Sequence, residues 1–109
     1  MPAQITELDR ANFSREVEAF EGVVVVSFWA PWCTPCALFS PLLQELAKEA
    51  PETLKIAKVN IDNNNDLAMR FSIREIPTVL LFSRGVVRES LVGAIPKQKL
   101  TDALARLRG

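Results

Sequence analysis

The stretch Phe28-Trp29-Ala30-Pro31-Trp32-Cys33-Thr34-Pro35-Cys36 decides the fold and carries the chemistry. It holds the only two cysteines of the chain, separated by two residues. Just upstream, Val23-Val24-Val25-Val26 is β-branched and apolar without alternation, the pattern of a strand buried on both faces. Just downstream, Phe39, Leu42, Leu43, Leu46 and Ala50 recur at helical spacing, so a helix is expected from about Thr34 to Ala50. Cys33 therefore falls at or next to a helix N-terminus, where unpaired N–H groups and the helix dipole favour negative charge. That environment lowers a thiol pKa and makes the thiolate available as a nucleophile. Cys36 follows about one turn later and can reach Cys33 to close a disulfide. Pro35 suits the first helical turn, where its missing N–H has no intrahelical partner. The segment reads as a dithiol–disulfide switch.

Length and composition narrow the alternatives. A chain of 109 residues forms one domain, residues 1–109, with a real core. Thirteen basic and thirteen acidic residues cancel, and no basic patch stands out, which argues against nucleic acid as a partner. The longest apolar stretch, Val23 to Phe28, is too short to span a bilayer. Met1 to Arg10 shows neither the basic lead nor the apolar core of a signal peptide, so a soluble cytoplasmic protein is expected. One closely spaced cysteine pair staples little chain, so a structural disulfide explains it poorly. A zinc or iron–sulfur site needs two further ligands, and with no histidine and no third cysteine two chains would have to share it. Redox chemistry is the reading that a CxxC beside a βαβ pattern supports.

The rest of the chain alternates strands and helices. Gln4 to Leu8 suggests a short edge strand. Asn12 is expected to cap a first helix carrying Phe13, Val17 and Phe20 on one face, with Gly22 ending it. Val23 to Trp29 is the buried strand, and the helix after it contains Pro41, which removes one backbone hydrogen bond and should kink it. Pro51 closes that helix. Leu54 to Ile61 reads as a strand, and Asp62-Asn63-Asn64-Asn65 as a turn that caps a short helix over about Asp66 to Phe71. Pro77 opens a strand from Thr78 to Phe82. Ser83-Arg84-Gly85 turns into another, Val86 to Val92, and Pro96 begins a last helix with Leu100, Ala103, Leu104 and Leu107 on one side. Three strands joined through helices should be parallel, and the hairpin around Gly85 antiparallel. An α/β protein with one mixed sheet follows, the cysteines lying at the carboxyl end of a central strand, where open α/β sheets place their sites.

These residues resemble thioredoxin. Phe28 to Cys36 matches the active-site segment of that family except at Thr34, where the family usually has Gly. Lys58-Val59-Asn60-Ile61-Asp62 resembles the following strand end. Ile73-Arg74-Glu75-Ile76-Pro77-Thr78 resembles the segment bearing the family's cis-proline, and Val92-Gly93-Ala94 its glycine loop. Pro41 falls where the family has a helix-kinking proline, and the likeness runs from about Ile5 to Leu107. It implies the thioredoxin fold, a central mixed five-stranded sheet flanked by four helices. It also implies a mechanism. Cys33 attacks a substrate disulfide to form a mixed disulfide, and Cys36 resolves it at high effective concentration. No cofactor is implied in the domain itself. The implied partners are disulfide-containing proteins and an NADPH-dependent thioredoxin reductase, with the protein a monomer. Pro77 read alone is ordinary punctuation at a strand start. The resemblance implies instead a cis Ile76–Pro77 bond facing the cysteines, with the Ile76 backbone pairing to substrate. Trp32 either packs at the helix start or forms, with Ile76 and Ile95, an apolar docking surface that includes Gly93. Trp29 is expected to sit under the active-site loop.

The departures from the family fall on residues that tune the thiols. Ser27 stands where thioredoxins usually carry a buried Asp that takes the resolving cysteine's proton. A serine hydroxyl is no general base near neutral pH, so lower thiol pKa values and a slower resolving step are expected; alternatively Ser27 is simply satisfied within the sheet. Lys58 matches the lysine that pairs with that Asp, and here it either reaches solvent or favours the thiolates. Thr34 introduces a β-branched residue into the disulfide loop. Ala37 lacks the usual cation, and Glu75 adds a carboxylate near the proline loop; both changes raise the Cys33 pKa, against the effect of Ser27. Three functions are therefore weighed: a protein-disulfide reductase, a more oxidising or partner-dedicated exchanger, and a non-enzymatic binding module, for which two intact thiols are superfluous.

Overall fold

The computed structural model describes residues 5–108. Five strands form one sheet, β1 (Thr6–Leu8), β2 (Val23–Trp29), β3 (Leu54–Asn60), β4 (Thr78–Ser83) and β5 (Val86–Val92), in the order β1-β3-β2-β4-β5. Three α-helices, α1 (Thr34–Glu49), α2 (Asn65–Arg70) and α3 (Lys97–Arg108), and one π-helical turn (Ser14–Glu18) flank it. This is the thioredoxin fold anticipated from the sequence. The proposed first residue of the edge strand, Gln4, lies outside the described residues.

β1, β3 and β2 are parallel as expected, whereas β4 runs antiparallel to β2 although a helix precedes it. The link from Asn60 to Thr78 contains only the six-residue α2, and β4 starts at the end of the sheet where β2 and β3 finish, with Thr78 beside Phe28 and Trp29 beside Asn60.

The unalternating valine run is explained by a core on each side of β2. Val23 and Val25 pack with Phe39, Leu43 and Leu46 of α1 and Leu100 and Leu104 of α3. Val24, Val26 and Phe28 face Phe13, Val17, Leu67 and Phe82 on the other side. Phe13, Phe71 and Phe82 meet at centroid separations of 5.5–5.9 Å, and Arg70 covers the rings of Phe13 and Phe71 while bonding Glu18 at 2.9 Å.

The first helix is corrected. Phe13 and Val17 are buried as anticipated, but the segment is a single π-helical turn and Asn12 does not cap it. The Asn12 side chain accepts the Asp9 N–H at 2.9 Å, and Asp9 Oδ1 accepts the Asn12 N–H at 2.8 Å. This reciprocal turn competes with capping for the same short side chain. Asn64 likewise occupies the N-cap of α2 without a side-chain cap bond, its amide donating instead to the Asn60 carbonyl at 3.0 Å. Pro41 lies inside α1 on its exposed side, where its ring leaves the Ala37 carbonyl without the usual donor. None of the described helices is long and apolar enough to cross a membrane.

Candidate functional site

β2 ends at Trp29 and α1 begins at Thr34, so the short link between them delivers both cysteines to the carboxyl end of the central strand. Cys33 is the N-cap of α1, with extended φ and ψ of −91° and 105°. Its sulfur accepts the Cys36 N–H at 3.2 Å. Pro35 lies within the first turn, as its chemistry predicts. Cys33 and Cys36 form a disulfide with their Cα atoms 5.3 Å apart. Both are buried, 6% and 5% exposed, so exposure does not distinguish them in this oxidised state. Position does: the Cys33 sulfur faces the helix N–H groups, which stabilise a thiolate there.

A second loop closes on the disulfide from across the sheet. The Ile76–Pro77 peptide bond is cis, and the Ile76 carbonyl oxygen stands 3.8 Å from Cys33 Sγ. Thr78 Oγ1 donates to the Glu75 carbonyl at 2.6 Å, and Gly93 N–H donates to the Pro77 carbonyl at 2.8 Å. Gly93 has φ +92°, a conformation open to glycine at little cost, and the position of a Cβ there is empty to 4 Å.

Trp32 is 66% exposed, and its Nε1–H donates to Asp62 Oδ1 at 3.1 Å. Trp29 is half-buried against Ala30, Cys33 and Cys36, the place anticipated beneath the loop. Ile76 packs against the same cluster, whereas Ile95 is half-buried against the α1–α3 layer. Asp62 was legible as a turn residue and as the end of the segment resembling the family's strand end; its partnership with Trp32 needs the strand end and the helix start to be superposed in space.

Behind the disulfide lies a cleft of about 170 Å³. Ser27, Trp29, Cys33, Cys36 and Lys58 line it, together with Ser40 and Gln44 of α1. Ser27 is 2% exposed and sits opposite Lys58 in the β2–β3 register. Lys58 runs along the cleft wall, with Nζ 5.1 Å from the Trp29 ring centre and 4.0 Å from Glu7 Oε1. Lys58 thus shares the cleft with the cysteines, and its ammonium reaches toward the exposed Glu7 carboxylate. Ser40 and Gln44 escaped the sequence reading, although they follow Cys36 at i+4 and i+8 and so share its helix face. Thr34 and Glu75 are exposed. Glu75 lines a separate groove of about 230 Å³ with Arg74, Ser90 and Val92, not the cleft.

Comparison with known proteins agrees with this arrangement. Residues 4–106 match the Thioredoxin family model. The chain belongs to the thioredoxin family. It is 43% identical over 101 residues to Thioredoxin M5, chloroplastic, of Oryza sativa, covering 93% of this chain and 59% of that protein. It is 44% identical over 101 residues to a thioredoxin of Buchnera aphidicola, covering 93% and 94% of the two chains. To Thioredoxin 1 of Nostoc sp. it is 38% identical over 104 residues, covering 95% and 94%. The chain spans 57% to 64% of the length of the chloroplastic relatives it matches. In this thioredoxin chain Ser27 lines the cleft behind the disulfide and Thr34 is the exposed first residue of α1.

Proposed function

We propose that this protein is a thiol–disulfide oxidoreductase that reduces protein disulfides. Cys33 is the nucleophile and Cys36 the resolving thiol. The observation that carries this reading is the placement of Cys33 as N-cap of α1, bonded to Cys36, with the Ile76 carbonyl 3.8 Å from its sulfur. The Cys33 thiolate attacks one sulfur of a substrate disulfide and releases the other as a thiolate. The Cys36 thiolate then attacks Cys33 Sγ, closing the intramolecular disulfide and freeing the reduced substrate. Both cysteines sit on one rigid turn, which makes the second attack intramolecular.

Trp32, Ile76, Pro77 and Gly93 form the docking face around the disulfide. An extended substrate segment pairs with the Ile76 backbone, and the empty space at Gly93 admits its main chain. Ser27, Thr34, Pro35, Lys58 and Glu75 tune the potential and the rates. The thioredoxin domain, matched over residues 4–106, acts as a monomer in the cytoplasm. An NADPH-dependent thioredoxin reductase returns electrons to it. The Nostoc and Buchnera relatives are named thioredoxin, which supports the disulfide-exchange reading, while the chloroplastic relatives bear names that place them in an organelle.

A second reading, a more oxidising or partner-dedicated exchanger, is favoured by Thr34 inside the disulfide loop and by the carboxylate-free cleft behind it. The equilibrium potential of the Cys33/Cys36 pair separates the two, read by Trp29 and Trp32 fluorescence in dithiol buffers. A value near about −270 mV supports the reductant, and one near about −180 mV or above replaces it with the oxidising exchanger.

A further inference from the structure

The cleft beneath the disulfide is bounded by β2, β3 and α1, and Pro31, Ala37 and Gln44 on its lining are exposed, so it communicates with solvent. Its volume of about 170 Å³ accommodates several waters or one small organic anion. Cys36 backs onto this space and is 5% exposed. To attack Cys33, it must lose a proton.

None of the described residues that line the cleft supplies an acceptor for that proton. The titratable groups there are the two cysteines and Lys58. Lys58 as an ammonium only donates. The hydroxyls of Ser27 and Ser40 and the amide of Gln44 are too weakly basic near neutral pH. The same walls are suited to an anion. Lys58 has its carboxylate partner, Glu7, at 4.0 Å on an exposed side chain, a weak pairing. Trp29 lines the cleft and has a buried Nε1–H without a partner. Lys58 brings a positive charge to the lining, its ammonium 5.1 Å from the Trp29 ring centre, and none of the described lining residues carries a carboxylate.

We propose that the cleft binds a small weak-acid anion of the size of formate or acetate, whose carboxylate accepts the Cys36 proton in the resolving step. The proton passes from Cys36 Sγ to the carboxylate, and the resulting thiolate attacks Cys33 Sγ. The Cys33–Cys36 bond forms as the Cys33–substrate bond breaks. The departing substrate thiolate is protonated by the acid just formed, which regenerates the anion. No electrons move beyond the disulfide exchange itself. This inference rests on the roles of Cys33 and Cys36 proposed above.

The test mixes the reduced protein with an aromatic disulfide that liberates a coloured thiolate. The first release reports attack by Cys33, the second resolution by Cys36. Acetate replaces chloride at constant pH and ionic strength. The expected result is an unchanged first phase and a second phase accelerated by about tenfold at saturating acetate, below the ~100-fold that a positioned side-chain base contributes. Ser40→Leu, which fills the cleft, removes the acetate dependence. The indole N–H resonance of Trp29 in the oxidised wild type should also shift saturably with acetate, and that of Trp32 should not. A second phase indifferent to acetate overturns the proposal. So does equal acceleration in the wild type and Ser40→Leu, or an unmoved Trp29 signal. Release of one coloured thiolate per protein rather than two would instead remove the Cys33/Cys36 mechanism, so the two failures are distinguishable.

Discussion

Gly93→Ala separates the docking role of this glycine from its contribution to the fold. Gly93 has φ +92°, and an alanine there meets no atom within 4 Å. Its cost is therefore backbone strain alone, about 1–3 kcal/mol for a non-glycine residue in such a region. The methyl also restricts the unfolded chain, which returns about 0.4–1 kcal/mol. The net loss is about 1 kcal/mol, or a fall in melting temperature of about 4–8 °C for a domain near this size. On the docking role proposed for Gly93, the same methyl occupies the open space through which a substrate main chain approaches the disulfide. The rate of attack on a protein disulfide should fall about tenfold, equivalent to about 1.4 kcal/mol of transition-state binding. Gly22→Ala is the converse control. A Cβ at Gly22 lies 2.1 Å from the Thr53 carbonyl oxygen, which also accepts the Val23 N–H, so the backbone must shift. That variant should lose more stability than Gly93→Ala and keep the wild-type rate once folded. Urea denaturation and stopped-flow reduction of insulin measure the two quantities. A wild-type rate in Gly93→Ala, or a rate loss in Gly22→Ala that follows its stability loss, refutes the docking assignment.

Other substitutions probe the remaining parts of the account. Ser27→Asp places a carboxylate in the cleft beside Cys36, and the resolving step should become faster and independent of acetate in the two-phase assay. Burial raises the folded-state pKa of that carboxyl above its unfolded value, so the folded form holds more protons between the two values and stability falls as pH rises through that window. Each unit of elevation costs about 1.4 kcal/mol, measurable by denaturation at acid and neutral pH. Trp32→Phe removes the bond to Asp62 Oδ1 and keeps an aromatic ring; Trp32→Ala removes both and should slow substrate reduction further, with KM affected more than kcat. Phe28→Ala empties a fully buried position on β2 and should cost about 3–5 kcal/mol in urea denaturation.

Much of this structure is written in residue patterns that act locally. The valine run of β2, the cysteine spacing and the proline at the start of α1 each carry their own physical reason, and each element forms where that reason places it. The likeness of four short segments to thioredoxin extended this to the cis geometry at Pro77, which no local pattern near Ile76 encodes. The π-helical turn was not legible, because Asn12 has equal access to a cap and to the reciprocal turn with Asp9, and only the packed chain decides. The antiparallel entry of β4 was not legible either, because a helix between two strands suggests a parallel crossover and only the assembled sheet shows the chain re-entering at the end where β2 stops. At the site, Cys33 and Cys36 announce themselves, whereas the Trp32–Asp62 bond joins residues thirty positions apart and the cleft lined by Ser40 and Gln44 exists only once α1 lies on the sheet.

The central claim is that Cys33 attacks and Cys36 resolves. Incubating the Cys36→Ser variant with a disulfide-containing protein substrate, followed by peptide mass spectrometry, tests it directly. The account predicts a stable mixed disulfide between the substrate and Cys33, and none accumulating on the wild type. No adduct on Cys36→Ser, together with an adduct on Cys36 in the Cys33→Ser variant, would contradict it.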